Sequence, residues 1–277
     1  MINYFGQLVD FSQALVMGIL NITHDSFFSE SCICSEKELL ARAEKMLTDG
    51  ADILDIGAVS TRPGINKIIS EEEEIEILST AVDVIKKHFP QTIISIDTFR
   101  ANVARNIVKN FGKIIINDIS GGRFDDKMFE TVAQLKTPYI LTHLQGNLET
   151  MHLQTNYTHL LTDILHFFSV QLQKLSLLGV SDVIIDPGFG FSKTIAQNYE
   201  LLQKLSYLQV FEKPILVGLS RKSMLYKALN TTPENALNAT TAANALALAG
   251  GASILRVHDV KEAKELITIF KICGNVV

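Results

Sequence analysis

Eight short runs of apolar, largely β-branched residues punctuate the chain, at 15–20, 53–57, 92–97, 114–118, 139–143, 183–186, 214–219 and 253–258. Each is too short for a helix, so each predicts a strand. Their nearly unbroken apolar character is that of parallel strands buried on both faces. Longer segments with helical spacing lie between them, at 35–49, 70–87, 100–109, 126–134, 158–178, 196–205, 236–249 and 260–270. Segment 35–49 opens on Ser35 with Glu38 three residues on, the pattern of a capping box, and stops before Gly50. Segment 70–87 opens on Ser70 and four glutamates, which suit the positive end of a helix.

Strands and helices in strict alternation predict an α/β protein, a (β/α)8 TIM barrel built as a single domain. An open, doubly wound sheet is the alternative that the same alternation permits. No repeat, low-complexity stretch or linker divides residues 1–277. Residues 1–14 are expected to form a short lid over the bottom of the barrel.

Composition narrows the class further. Hydrophobic residues make up 47% of 277 residues, enough for a sizeable core, and the length fits one large barrel. The net charge of −5 gives no sign of nucleic-acid or anionic-membrane binding, so any basic site must be local. Three cysteines make no disulfide framework, and Cys32-x-Cys34 without a second pair reads as two free thiols in a loop. No basic start leads into a long apolar run, and no stretch approaches the ~18 apolar residues of a membrane span. A cytoplasmic enzyme is the expectation.

The strand ends carry the chemistry. The first strand runs into Asn21, then Thr23-His24-Asp25-Ser26-Phe27. The second holds Asp55 and leads to Ser60-Thr61-Arg62-Pro63-Gly64. The third ends at Asp97, the fourth at Asn117-Asp118, the fifth at Thr142-His143, and the sixth at Asp186. The seventh ends at Gly218, before Ser220-Arg221-Lys222-Ser223, and the eighth holds Arg256 and His258. In a barrel these ends converge on one face. One polar strand end means little, but a ring of carboxylates buried without partners is costly, so a polar ligand in the mouth explains them better.

Asp97, Asn117 and Asp186 offer acceptors and an amide suited to a ring with several N–H donors. Arg62, Lys222, Arg256 and His258 suit phosphate oxygens or a carboxylate. Ser223 lies at a helix start, whose free N–H groups can hold an anion. The side chains thus specify a polar heterocycle and an anionic group, and the identity of neither.

Seven motifs in order resemble the dihydropteroate synthase family. They are Met-Gly-Ile-Leu-Asn-Ile-Thr-His-Asp-Ser-Phe (17–27), Asp-Ile-Gly-Ala-Val-Ser-Thr-Arg-Pro-Gly (55–64), Ser-Ile-Asp-Thr (95–98), Ile-Asn-Asp-Ile-Ser-Gly-Gly (116–122), Asp-Pro-Gly-Phe-Gly-Phe (186–191), Gly-Leu-Ser-Arg-Lys-Ser (218–223) and Arg-Val-His-Asp-Val-Lys-Glu (256–262). Each is weak alone, and the set is specific. The resemblance implies a transferase of folate biosynthesis, a sulfonamide target, that joins 6-hydroxymethyl-7,8-dihydropterin pyrophosphate to 4-aminobenzoate. It also implies Mg2+ as cofactor and a homodimer. By matching positions it assigns the pterin to Asp97, Asn117, Asp186 and Lys222, with Gly218 beside them. Asn21 would bind the metal, and Arg62, Arg256 and His258 the phosphates. Thr61, Pro63, Phe191, Ser223 and Phe27 would shape the aminobenzoate pocket. Asp97, Lys222, Arg62 and Asn21 would carry the catalysis.

Departures from the family pattern cluster in the loops and the pocket lining. His24 replaces a proline, Ala58-Val59 replaces Gly-Glu, and Thr142 replaces a methionine. The pterin-holding Asp and Asn positions also occur in methyltetrahydrofolate–corrinoid methyltransferases, but that class does not need the Ser-Thr-Arg-Pro-Gly loop or the Ser-Arg-Lys-Ser turn. A non-catalytic pterin-binding relative is the other reading that the altered loops leave open.

Overall fold

The computed structural model describes residues 1–22, 32–58, 69–147, 150–151 and 153–274. A two-stranded antiparallel hairpin comes first, β1 (Ile2–Tyr4) and β2 (Gln7–Val9). Eight parallel strands follow: β3 (Leu15–Asn21), β4 (Ile53–Gly57), β5 (Ile93–Asp97), β6 (Ile115–Asp118), β7 (Tyr139–Thr142), β8 (Val183–Asp186), β9 (Leu216–Val217) and β10 (Ile254–Val257). They pair in the order β8-β7-β6-β5-β4-β3-β10-β9. A parallel bridge from Ile185 to Ile215, with Ile185 N donating to the Pro214 carbonyl at 2.9 Å, brings β8 back to the far edge. The result is the expected (β/α)8 barrel and not an open sheet.

The two-residue period of a strand sorts side chains into two cores. One set, including Leu54, Ile56, Ile94, Ile96, Leu141 and Val257, packs outward against the helices. The alternate set supplies one residue from each barrel strand: Met17, Ile53, Ile93, Ile115, Ile140, Ile184, Leu216 and Ile254. These fill the barrel's lower interior, and Ile2, Tyr4 and Val9 of the hairpin close over the same cluster. Full burial of each such side chain contributes roughly 1.5–3 kcal/mol. Two residues further along, six of the eight inward positions turn polar, at Asp55, Ser95, Asn117, Thr142, Asp186 and Arg256, while the other two are Ile19 and Gly218. That switch from apolar to polar on the same face makes the floor of the site.

The helices are α1 (Cys32–Thr48), α2 (Glu71–His88), α3 (Ala101–Phe111), α4 (Met128–Leu135), α5 (Leu160–Leu177), α6 (Ile195–Gln203), α7 (Ser223–Ala228), α8 (Leu237–Ala249) and α9 (Val260–Gly274). Helix α2 starts where its sequence directs. Ser70 Oγ accepts from Glu73 N at 3.1 Å, and Glu73 Oε2 accepts from Ser70 N at 2.8 Å. Its buried Ile77, Leu78, Ala81, Val82 and Ile85 recur at helical spacing.

Helix α1 departs from the expectation. It begins at Cys32, so Ser35 lies inside it and does not cap it, and Cys32 and Cys34 belong to the helix and not to a loop. Strand β9 is also shorter than 214–219, because Pro214 has no N–H to give and the chain turns after Val217. No described helix is long and apolar enough to cross a membrane.

Candidate active site

The polar layer opens on Asp55, wholly buried on β4 two residues above Ile53. Arg256 on β10 reaches it with two nitrogens, Nε at 2.7 Å and Nη2 at 2.6 Å from Oδ2. The same Nη2 lies 2.9 Å from Oδ2 of Asp97 at the end of β5. Asn117 on β6 donates its amide to Asp55 Oδ2 at 3.0 Å. Strand register explains the cluster, since Asp97 pairs with Asn117 and with Gly57. The neighbouring strands β4, β5 and β6 hold two carboxylates and one amide, and β10, one strand beyond β4 across β3, brings the guanidinium into contact with them.

Their charges do not balance. Two carboxylates share one guanidinium, so the floor favours added protons or cationic and N–H-rich ligands. Burial pushes the Asp97 carboxyl up to about 7; Arg256 opposes this, while Asp55 and Glu74 add to it. Several acceptors are also idle. Asp55 Oδ1, Asn117 Oδ1, Ser95 Oγ and Thr142 Oγ1 are buried with no hydrogen-bond partner. Buried polar atoms are nearly always paired, so this arc of four atoms marks where a donor- and acceptor-bearing ligand belongs.

The second half of the mouth is built by the loop after β8. Thr142 and Asp186 stand side by side in register on β7 and β8. Asp186 Oδ1 accepts from Gly188 N at 2.8 Å. Burial raises its pKa, and Lys222 and the Gly188 N–H pull it back down. Lys222 donates to the Phe189 carbonyl, and its Nζ lies 5.0 Å from the centre of the Phe191 ring. Burial lowers the Lys222 pKa to about 8, against the raising influence of Asp186. Gly190, at φ +81°, passes so close that a Cβ there would sit 3.0 Å from Lys222 Cδ. Gly218 also borders this side chain, with Lys222 Nζ 3.8 Å from the position of its missing Cβ.

Neighbouring groups serve the frame. Ser220 Oγ lies 3.1 Å from His258 Nδ1 and accepts from His258 N at 3.2 Å, which fixes the imidazole at the head of β10. Arg221 turns away from the mouth and makes a two-point pair with Asp259 at 2.9 and 2.8 Å. Asp118, adjacent to Asn117, faces the other way. It accepts from Ser120, Gly122 and the Tyr139 hydroxyl and stays structural. Ser223 is half-buried at the start of α7, a six-residue helix too short for a strong terminal field. Asn21 is exposed at the tip of β3.

Of the residues singled out from sequence, the structure therefore brings together Asp97, Asn117 and Arg256 by contact, and Lys222 with Phe191, in the same mouth as Asp186 and Gly218. His24, Phe27, Thr61, Arg62 and Pro63 lie outside the described residues. Two side chains were not selected from sequence. Asp55 occupies the same inward phase as Asn21 and Asp97, and that phase was the available signal. Lys193 is the other; it is buried just beyond the Asp-Pro-Gly-Phe-Gly-Phe motif.

Residues 17–258 match the family described as pterin binding enzyme. A barrel with this donor set at its strand ends is thus an enzyme of the pterin-binding class. The chain is 37% identical over 266 residues to a dihydropteroate synthase of Escherichia coli K12, covering 95% of this chain and 93% of that one. It is 41% identical over 276 residues to the folic acid synthesis protein fol1 of Pneumocystis carinii, covering 94% of this chain but only 36% of that longer protein. Yersinia pestis dihydropteroate synthase, solved in a sulfonamide drug complex, superposes with a TM-score of 0.91 at 37% identity over 99% of both chains. The chain belongs to the dihydropteroate synthase family.

Proposed function

We propose that this chain condenses 6-hydroxymethyl-7,8-dihydropterin pyrophosphate with 4-aminobenzoate, releasing pyrophosphate and forming dihydropteroate. The carrying observation is the contact cluster of Asp55, Asp97, Asn117 and Arg256, with idle acceptors beside it, in a chain of this family. Asp97, Asn117 and Asp186 take the N–H groups of the pterin, and Lys222 takes a ring acceptor. Arg256 uses Nε and Nη2 on the two carboxylates, which leaves Nη1 for an oxygen of the substrate. His258 and Arg62 hold the phosphates. Phe191, Ser223, Thr61, Pro63 and Phe27 shape the aminobenzoate pocket.

Asn21 fits a magnesium ion that arrives on the pyrophosphate. A Cβ at Gly57 would come 3.4 Å from Asn21 Oδ1 and 3.3 Å from Asp97 Cβ, so the glycine keeps the space beside that amide open. No group of three His, Cys, Asp or Glu converges among the described residues. Magnesium takes oxygen ligands, keeps several waters and is commonly held by substrate phosphates with few protein ligands, and the Asn21 amide oxygen would be one such ligand. Bound Mg2+ supplies neutralisation of the charge that builds on the leaving pyrophosphate.

The C–O bond at the pterin methylene breaks with its electron pair going to the pyrophosphate oxygen. The methylene cation is delocalised into the ring, where the ionised Asp97 carboxylate stabilises it. The neutral amino nitrogen of 4-aminobenzoate then bonds through its lone pair and loses a proton. Pyrophosphate release without aminobenzoate supports this order, and a strict need for aminobenzoate before C–O cleavage counts against it.

Exposed apolar side chains on mutually packed elements, Ile195 on α6, Leu229 after α7 and Leu246 on α8, support a homodimer. Sedimentation velocity of a strictly monomeric species at micromolar concentration would remove that part. The exposed, unpaired Cys273 fits a reducing compartment such as the cytoplasm.

The test is turnover. Purified protein with both substrates and Mg2+ yields dihydropteroate and pyrophosphate in equal amounts, and a sulfonamide competes against 4-aminobenzoate. Pterin binding without product would point instead to a non-catalytic relative.

A further inference from the structure

Lys193 lies between the active-site loop and the barrel wall, 7% exposed. Its Nζ is 3.0 Å from the Gly188 carbonyl, 3.1 Å from the Phe191 carbonyl and 3.1 Å from His143 Nδ1. An ammonium has three N–H donors, and here three acceptors surround it. His143 can accept because burial, together with Lys193 and Arg123, pushes its pKa well down and keeps it neutral. With Lys193 protonated, Nδ1 is the acceptor and the ring proton sits on Nε2.

The two carbonyls held by Lys193 flank the carbonyl of Phe189, which accepts from Lys222. The loop between them also carries the Phe191 ring that lies against Lys222. One lysine therefore draws carbonyls 188 and 191 inward and leaves carbonyl 189 facing the other lysine. The loop cannot relax toward the wall, since a Cβ at Gly188 would already be 2.0 Å from the His143 carbonyl. Burying an ammonium is costly, and an apolar chain would fill the same space. Burial lowers the Lys193 pKa to about 7, while the Asp186 carboxylate favours the protonated form and Lys222 opposes it; the amine's place is fixed by the three acceptors around it.

We infer that Lys193 is a positioning residue for the pterin subsite, acting through the Gly188–Phe191 carbonyls to place Lys222 beside Asp186. The inference rests on the pterin-binding reading above. The test titrates wild type and Lys193→Met, which preserves length and bulk, with 6-hydroxymethyl-7,8-dihydropterin by calorimetry, and measures KM for both substrates. The pterin Kd and the KM for its pyrophosphate should rise more than fivefold, while the KM for 4-aminobenzoate stays within twofold. Lys193→Gln, which keeps two N–H donors, should recover part of the loss. A folded Lys193→Met with pterin affinity within fivefold of wild type, or an equal loss for both substrates, overturns the inference. Should Lys193→Met not fold, Lys193→Leu, which also lacks donors, is judged by the same thresholds. A wild-type chain that binds no pterin would instead sink the proposed function.

Discussion

Asp55 and Asp97, on adjacent strands, both close on the Nη2 nitrogen of Arg256, at 2.6 and 2.9 Å. Burial lifts the Asp97 carboxyl to about 7; Arg256 opposes this and the neighbouring Asp55 carboxylate adds to it. The ionised Asp97 is the form that stabilises a pterin cation. The kcat/KM profile should therefore fall as pH drops through about 7. Asp55→Asn removes the neighbouring like charge and leaves Arg256 to Asp97 alone. That lowers the Asp97 pKa and should move the acidic limb to lower pH. The limb belongs to the coupled group, and an unmoved limb would show that Asp97 does not set it.

Asp97→Ala and Lys222→Ala each remove a charge from the mouth without touching either apolar core. Each should cut turnover about 100-fold or more, the scale expected for a group that stabilises charge in a transition state. Circular dichroism should show a folded barrel in both. Near-normal turnover in either variant would remove that residue from the mechanism.

Asp118 tests the distinction between neighbours. It follows Asn117 directly, yet it accepts from the Tyr139 hydroxyl at 2.6 Å on the far side of the strand. Tyr139→Phe should cost about 1–3 kcal/mol in urea unfolding, the price of leaving a buried acceptor short of one donor. Its kcat should stay within twofold of wild type. A large drop in kcat with unchanged stability would place Asp118 in the site.

Gly188 and Gly179 separate loop geometry from glycine conformation. Both have positive φ, +70° and +80°. A Cβ at Gly188 meets the His143 carbonyl at 2.0 Å, whereas one at Gly179 meets nothing within 4 Å. Gly179→Ala should cost about 1–2 kcal/mol and leave activity alone. Gly188→Ala should cost more than that and weaken pterin binding, measured by melting and calorimetry. Equal effects would show that the close approach at Gly188 does not matter.

Much of the fold and the site is legible in the sequence, for a physical reason. The barrel strands are buried on both faces, so their apolar runs stand out, and polar residues at their ends are conspicuous. Asp55 was harder to select because it lies within its strand; only the inward phase it shares with Asn21 and Asp97 marks it. Lys193 was illegible because its partners are two carbonyls and a histidine some 50 residues earlier in the chain, which no spacing reveals. The hairpin is not legible as strand because three-residue elements around Gly6 carry no periodic signal, although Ile2, Tyr4 and Val9 close the barrel floor. Ser35 and Glu38 had the form of a cap, but α1 begins at Cys32, ahead of them.

The ends of β5, β6 and β8 are proposed to grip one ring, and a crystal structure with bound 6-hydroxymethyl-7,8-dihydropterin pyrophosphate decides this. Ring N–H groups should lie on Asp97, Asn117 and Asp186, Lys222 on a ring acceptor, and the phosphates toward His258 and Asn21. A ring bound elsewhere, or one that leaves Asp97, Asn117 and Asp186 without contacts, would contradict the proposal.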